Sequence, residues 1–364
     1  MSGRFLRAAA ALLAAAVLFP VPAGAISASA AIMLDGTTGR VLYEKQADRR
    51  SLIASTTKIM TALVVCEQCN VLDRVKIPAE AVGVEGSSMY LRQDEVLTVQ
   101  ELLYGLMLSS GNDAATALAI YCGGTVSGFV QMMNDKARFL RLDQTHFANP
   151  HGLDQPEHYS TARDLACLAA HAMQNPIFAA TVRAKTVTVS GRILTNHNRL
   201  LWRVKGADGV KTGFTRAAGR ALVSSAVRDG RRLIVVTLND PNDWADHEAL
   251  YQDGFSHYRM RQIVSRGHCL GTLPVLGGDG EQVRLLAMEN YSCPVGLQEQ
   301  PCIRLSAKGF VFAPVCRGAD AGFAYICIDG HTIGCVPVCY GDTVQMRASA
   351  RPSLWQRLFG GAEA

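Results

Sequence analysis

Charge is scarce in this 364-residue chain. Asp, Glu, Lys and Arg together make up 18%, against a hydrophobic fraction of 49%. That balance excludes a disordered, solvent-swollen chain and supplies the material for a packed core. The formal net charge is only +5. No basic run is interleaved with aromatics, so nucleic acid is not expected as a partner. Internal repeats and low-complexity tracts are missing too. His146, His151 and His158 share a loop rich in Asn, Pro and Gly but lack helical i, i+4 spacing. They read as structural or exposed histidines, and no metal is expected.

Long apolar runs are almost absent. The exception, Ala8 to Phe19, is too short to cross a bilayer comfortably as a helix. Arg4 and Arg7 precede it, Pro20 and Pro22 break it, and Ala23-Gly24-Ala25 offers a small-x-small cleavage site. This pattern predicts a signal peptide over 1–25, a mature chain from Ile26, and an extracytoplasmic location. The far end, 347–364, is polar except for Leu354, Trp355, Leu358 and Phe359, with Arg351 and Arg357 nearby. It is a short amphipathic stretch suited to peripheral contact with a membrane interface.

Cysteines are unevenly spread: Cys66, Cys69, Cys122 and Cys167 early, and seven of the eleven between Cys269 and Cys339. An odd count leaves at least one thiol over. Disulfides in an exported chain and small buried apolar residues are both open readings. Cys66-x-x-Cys69 ends an apolar helix without a βαβ context and reads as structural. Cys327, His331, Cys335 and Cys339 read as disulfides or packing in preference to a metal site.

The hydrophobic pattern predicts a hairpin at 31–43, a buried helix from Ser55 to Val65, and a helix from Val99 to Leu108 that ends in the turn Ser109 to Asn112. Further helices follow at 114–121, 127–140 and 161–172. Strands return at 186–189, 209–212, 220–226 and 232–238, the last two joined by Asp229-Gly230, and a helix closes the region at 248–255. The composition shifts near residue 262, and 266–346 reads as a small all-β domain. The predicted domains are therefore 26–262 and 266–346, between the leader and the tail.

Three separated pieces carry chemistry. Ser55-Thr56-Thr57-Lys58 puts a hydroxyl and an amine at i and i+3, on one helical face. In a first helical turn the dipole and free N–H groups favour negative charge growing on oxygen. Ser110-Gly111-Asn112 lies on a turn, from which a hydroxyl and an amide project into a cleft. Lys211-Thr212-Gly213 lies on a strand, with a glycine that admits close approach of another backbone. Trp202 reads as core or cleft wall, and Asp208 as orienting this strand or pairing with a neighbouring cation.

S-x-x-K, S-x-N and K-T-G in this order are the set used by penicillin-recognising serine enzymes. With Gly86-Ser87-Ser88-Met89, Asn149-Pro150-His151-Gly152-Leu153 and His197-Asn198-Arg199-Leu200-Leu201, the chain resembles the serine-type D-alanyl-D-alanine carboxypeptidases, the low-molecular-mass penicillin-binding proteins, over 29–262. The C-terminal cysteines depart from that resemblance. It implies an α+β fold: a β-lactamase/transpeptidase-like domain, with an antiparallel sheet covered by helices plus a helical subdomain, followed by a small all-β domain.

The resemblance also implies roles. Ser55 would be the nucleophile, and Lys58 its base, kept neutral by burial and by the charge of Lys211. Ser110 would pass a proton to the leaving nitrogen, and Asn112 would contact substrate peptide groups. Lys211 and Thr212 would hold the terminal carboxylate beside Gly213, and the N–H groups of Ser55 and Phe214 would form the oxyanion hole. The implied partners are a peptidoglycan stem peptide ending in D-Ala-D-Ala and β-lactams as covalent inhibitors, with no cofactor. A β-lactamase would need a carboxylate to activate the deacylating water, and no Glu-x-x-x-Asn segment lies between Asn112 and Lys211.

Overall fold

The computed structural model describes residues 26–306 and 309–347. The predicted leader and nearly all of the predicted tail lie outside the described residues.

The chain opens with strands β1 (Ala30–Asp35) and β2 (Val41–Lys45), antiparallel around a turn at 36–40. Every residue of β1 is buried, as expected of a strand with layers on both faces. A small hairpin, β3 (Arg74–Lys76) and β4 (Val96–Thr98), and a second, β5 (Thr186–Val189) and β6 (Arg192–Thr195), edge the helical middle. Strands β7 (Ala207–Thr215), β8 (Gly219–Arg228) and β9 (Arg231–Leu238) then complete one five-stranded antiparallel sheet in the order β2-β1-β9-β8-β7. The sheet joins chain segments far apart in sequence, with Ala30 opposite Leu238.

The helices are α1 (Lys58–Gln68), α2 (Val99–Met107), α3 (Asn112–Gly123), α4 (Val126–Phe139), α5 (Ala162–Ala172), α6 (Pro176–Arg183), α7 (Leu200–Arg203) and α8 (Asp243–His257). Helix α1 is central: Lys58 through Cys66 are all buried. One face of the sheet and the helices from α1 to α6 enclose the larger core, which includes Ile59, Leu63, Leu102, Leu118 and Phe178. The other face packs on α8 through Leu250 and Tyr251. Helix α2 starts with a reciprocal cap between Thr98 and Glu101. Helix α6, not anticipated from sequence, starts from an Asn175 cap and Pro176.

Strand β10 (Tyr258–Val264) begins just before the predicted composition shift, and it pairs with β13 (Tyr291–Gly296). Strands β11 (Cys269–Leu276), β12 (Gln282–Ala287), β14 (Cys302–Leu305), β15 (Val311–Phe312), β16 (Asp320–Ile328) and β17 (His331–Tyr340) form a second sheet in the order β14-β16-β17-β12-β11-β15. Its core is aliphatic, built on Val283, Leu285, Ile326, Val336 and Val338. Arg40 ties the two parts together: it donates to the Pro294 carbonyl and pairs with Glu299 at 2.5 Å.

All eleven cysteines are free thiols, so the disulfide reading is not realised in this structure. Among the described residues no cluster of three or more His, Cys, Asp or Glu side chains is placed to hold a metal ion. No single described helix is long and apolar enough to cross a membrane.

Candidate active site

Ser55 stands in a 3₁₀ turn, Ala54–Thr57, and the α-helix proper starts only at Lys58. This corrects the expectation of a continuous helix from Ser55. The departure is at Ala54, which has φ +46°, in the left-handed region where a side chain is strained, so the chain enters the helix through a twist. Two glycines clamp that twist. A Cβ on Gly152, at φ +93°, would stand 2.0 Å from the Ala54 carbonyl oxygen. A Cβ on Gly213 would stand 3.0 Å from the Ser55 nitrogen. Gly213 thus lets strand β7 lie against the Ser55 turn, a close approach within the protein itself.

Lys58 reaches back along the turn, as i, i+3 spacing demands. Its Nζ donates to Ser55 Oγ at 3.0 Å, to Asn112 Oδ1 at 2.6 Å and to the His151 carbonyl at 2.7 Å. The amine is fully buried, and burial holds its pKa well below the ordinary lysine value, with the nearby charge of Lys211 acting in the same direction and Asp113 opposing. Lys211 is buried as well. Its Nζ donates to the Thr212 carbonyl at 2.8 Å, and burial brings its pKa down to about 7. A neutral Lys58 would donate to Asn112 and the His151 carbonyl and turn its lone pair toward Ser55 Oγ.

Helix α2 ends, and Ser110 turns the chain in the left-handed region at φ +59°. Asn112 is not on that turn, as expected, but is the first residue of α3. Its amide is engaged at both ends: the oxygen accepts from Lys58 and Nδ2 donates to the Glu85 carbonyl at 2.5 Å. Next to it, Asp113 gathers the loop at 88–91 by accepting from Ser88 Oγ at 2.6 Å and from the Leu91 N–H at 3.0 Å. The loop at 149–153 does the same on the other side, where Asn149 Oδ1 accepts from the Gly152 N–H at 2.7 Å.

These pieces open onto one cleft of about 940 Å³, lined by Ser55, Ser87, Ser110, Thr212, Gly213 and Phe214. Trp202 is half exposed and walls it, so the cleft-wall reading holds. Arg199 and Arg220 also face the cleft, which suits an anionic ligand. The structure therefore brings Ser55, Lys58, Ser110, Asn112, Lys211, Thr212, Gly213 and Phe214 together. Asp208 pairs with Arg232 at 2.8 Å. His158 is a buried linker: its Nε2 lies 2.6 Å from Thr57 Oγ1, and its Nδ1 accepts from the Ala148 N–H. Sequence reasoning did not single out the His151 carbonyl, a main-chain group with no residue-type signal. Nor did it assign roles to Ser87, Arg199 or Arg220, which only tertiary packing brings to the cleft.

Residues 17–242 match the protein family described as D-alanyl-D-alanine carboxypeptidase, peptidase family S11. The D-alanyl-D-alanine carboxypeptidase DacF of Bacillus subtilis is 32% identical over 327 residues, covering 85% of this chain and 84% of its own. DacD of Escherichia coli is 35% identical over 295 residues, covering 77% and 76%. Penicillin binding protein 5 of Haemophilus influenzae superposes with a TM-score of 0.75 at 30% identity, over 88% of this chain and 98% of that one. The chain belongs to the serine-type D-alanyl-D-alanine carboxypeptidases of peptidase family S11.

Proposed function

We propose that this enzyme acts outside the cytoplasm on peptidoglycan stem peptides, releasing their terminal D-alanine through an ester on Ser55. Ser55 Oγ attacks the carbonyl carbon of the penultimate D-alanine while neutral Lys58 takes the hydroxyl proton. The developing oxyanion is met by the N–H groups of Ser55 and Phe214. The support is the close seating of β7 on the Ser55 turn that Gly213 permits. Ser110 passes a proton to the departing nitrogen, the C–N bond breaks, and D-alanine leaves. Water then attacks the ester and regenerates Ser55. Lys211 and Thr212 hold the substrate carboxylate. Asn112, bonded to Lys58 and Glu85, is assigned to holding the base in place; a contact with substrate peptide groups would require it to exchange one of those bonds.

The observation that carries this reading is the 3.0 Å contact between Ser55 Oγ and a fully buried, pKa-lowered amine. The same constellation supports acylation by penicillin, since a β-lactam presents a carbonyl and a carboxylate to the same groups. Export is supported by the leader-like pattern of residues 1–25, and peripheral membrane contact by the amphipathic pattern of the tail. The test is D-alanine release from diacetyl-L-Lys-D-Ala-D-Ala together with covalent labelling by a fluorescent penicillin. Both are expected from the purified enzyme. Rapid penicillin turnover without D-alanine release would replace this reading with a β-lactamase.

A further inference from the structure

Helices α1 and α3 run side by side in the same direction. At one end Lys58 and Asn112, the first residue of each, are hydrogen-bonded at 2.6 Å. Eleven residues on from Lys58 and ten on from Asn112, about 16 Å away along the axes, Cys69 caps the end of α1 and Cys122 lies in the last turn of α3. Both thiols are half-buried against the same core. The two thiols are near enough for each to shift the other's titration. A further contact fixes this end: Tyr121 Oη, beside Cys122, donates to Asp73 Oδ2 at 2.9 Å, just past Cys69.

We propose that Cys69 and Cys122 are a disulfide-forming site that staples the distal ends of the two helices whose near ends carry Lys58 and Asn112. The proposal goes beyond hydrolysis of the stem peptide, and its primary readout is mass, so it stands or falls separately from that reading.

The pair is chemically divided. Interaction with Cys122 lowers the Cys69 pKa, while interaction with Cys69 and burial raise that of Cys122. Cys69 is therefore the attacking sulfur. Its thiolate displaces one sulfur of a small-molecule disulfide such as oxidised glutathione, giving a mixed disulfide and one free thiolate. Cys122 then loses its proton and attacks the Cys69 sulfur, expelling the second thiolate. Two protein thiols are oxidised and one external disulfide is reduced to two thiols. The sequence neighbour Cys66 is no competitor. It is buried inside α1, and burial pushes its pKa up to about 12.

The experiment treats the full chain with oxidised glutathione, blocks remaining thiols by alkylation, and maps the unreduced digest by mass spectrometry. A Cys69–Cys122 linked peptide, two hydrogens lighter than the sum of its parts and split by dithiothreitol, is expected. Melting temperature is read as the difference from Cys69→Ser and from Cys122→Ala under the same oxidant, which cancels the effect of the other exposed thiols. Oxidised wild type should melt roughly 5–10 °C above either variant. Recovery of Cys69 and Cys122 both alkylated, or linkage of Cys69 to Cys66, would overturn the site. Linkage without a rise in melting temperature would overturn the staple.

Discussion

The two halves of the molecule hide different things. From Asp35 to Asp253 the interior contains lysines, aspartates, histidines and asparagines, with Lys58, Lys211 and His247 among the most deeply covered. Beyond Asp253 no polar or charged side chain is buried among the described residues. The interior there is Val, Leu, Ile, Ala and Cys. Both halves fold around sheets, so burying charge is not needed to make such a sheet. Uncompensated burial of an ionisable group costs several kcal/mol, by order of magnitude. The half that accepts this cost is the half with the cleft, where the proposed base is a buried lysine whose pKa burial lowers.

The largest effect that could break this contrast lies at its centre. Ser55→Ala and Lys58→Ala should each lower D-alanine release by at least about 10³-fold and abolish penicillin labelling, while Ser55→Ala leaves the melting temperature nearly unchanged. Retained labelling of Ser55→Ala at one equivalent would remove Ser55 from its role.

Acid should divide the halves next. Burial lowers the pKa of His151 and His158 to about 4 and that of His247 to about 3. Their unfolded values lie near 6.5. Between those limits the unfolded chain binds more protons, so stability is full at neutrality and drains as the pH falls from about 6.5 toward about 4. The C-terminal histidines His268 and His331 are exposed. Calorimetry from pH 7 to 4 should therefore lower the melting of the catalytic half by an amount on the order of 10 °C, with the β unit moving less. An equal shift in both would erase the contrast.

Ile326→Ala sharpens it from the other side. Truncating this fully buried side chain should cost roughly 2–5 kcal/mol in the β unit, read by denaturant unfolding, while kcat per folded molecule stays the same. The smallest effect belongs to the exposed Arg284–Asp342 pair, joined at 2.6 Å. Asp342→Asn should leave melting and activity within experimental error, because solvent already screens both charges.

Much of this was legible in the sequence because it is local. The i, i+3 spacing of Ser55 and Lys58 and the strand carrying Lys211 need only short-range geometry. So do the Asp229-Gly230 hairpin and the alternation after residue 262. What was not legible is non-local. The twist at Ala54 exists because Gly152 and β7 press on it from distant parts of the chain. Asn112 leaves its expected turn to begin a helix, where Lys58 and Glu85 from elsewhere in the chain take both ends of its amide. Eight residues were too few for α6 to show a period, although its Asn-Pro start was in plain view.

The pairing of Ala30 with Leu238 has a consequence for how the chain is made. Strand β1 sits between β2 and β9, so one of its two edges stays open until the last strand of that sheet has been synthesised. Closure of so distant a contact is slow, and it cannot precede the arrival of its partner. A polypeptide emerging from a ribosome would remain unclosed, and open to a translocation pore or a chaperone, for most of its length.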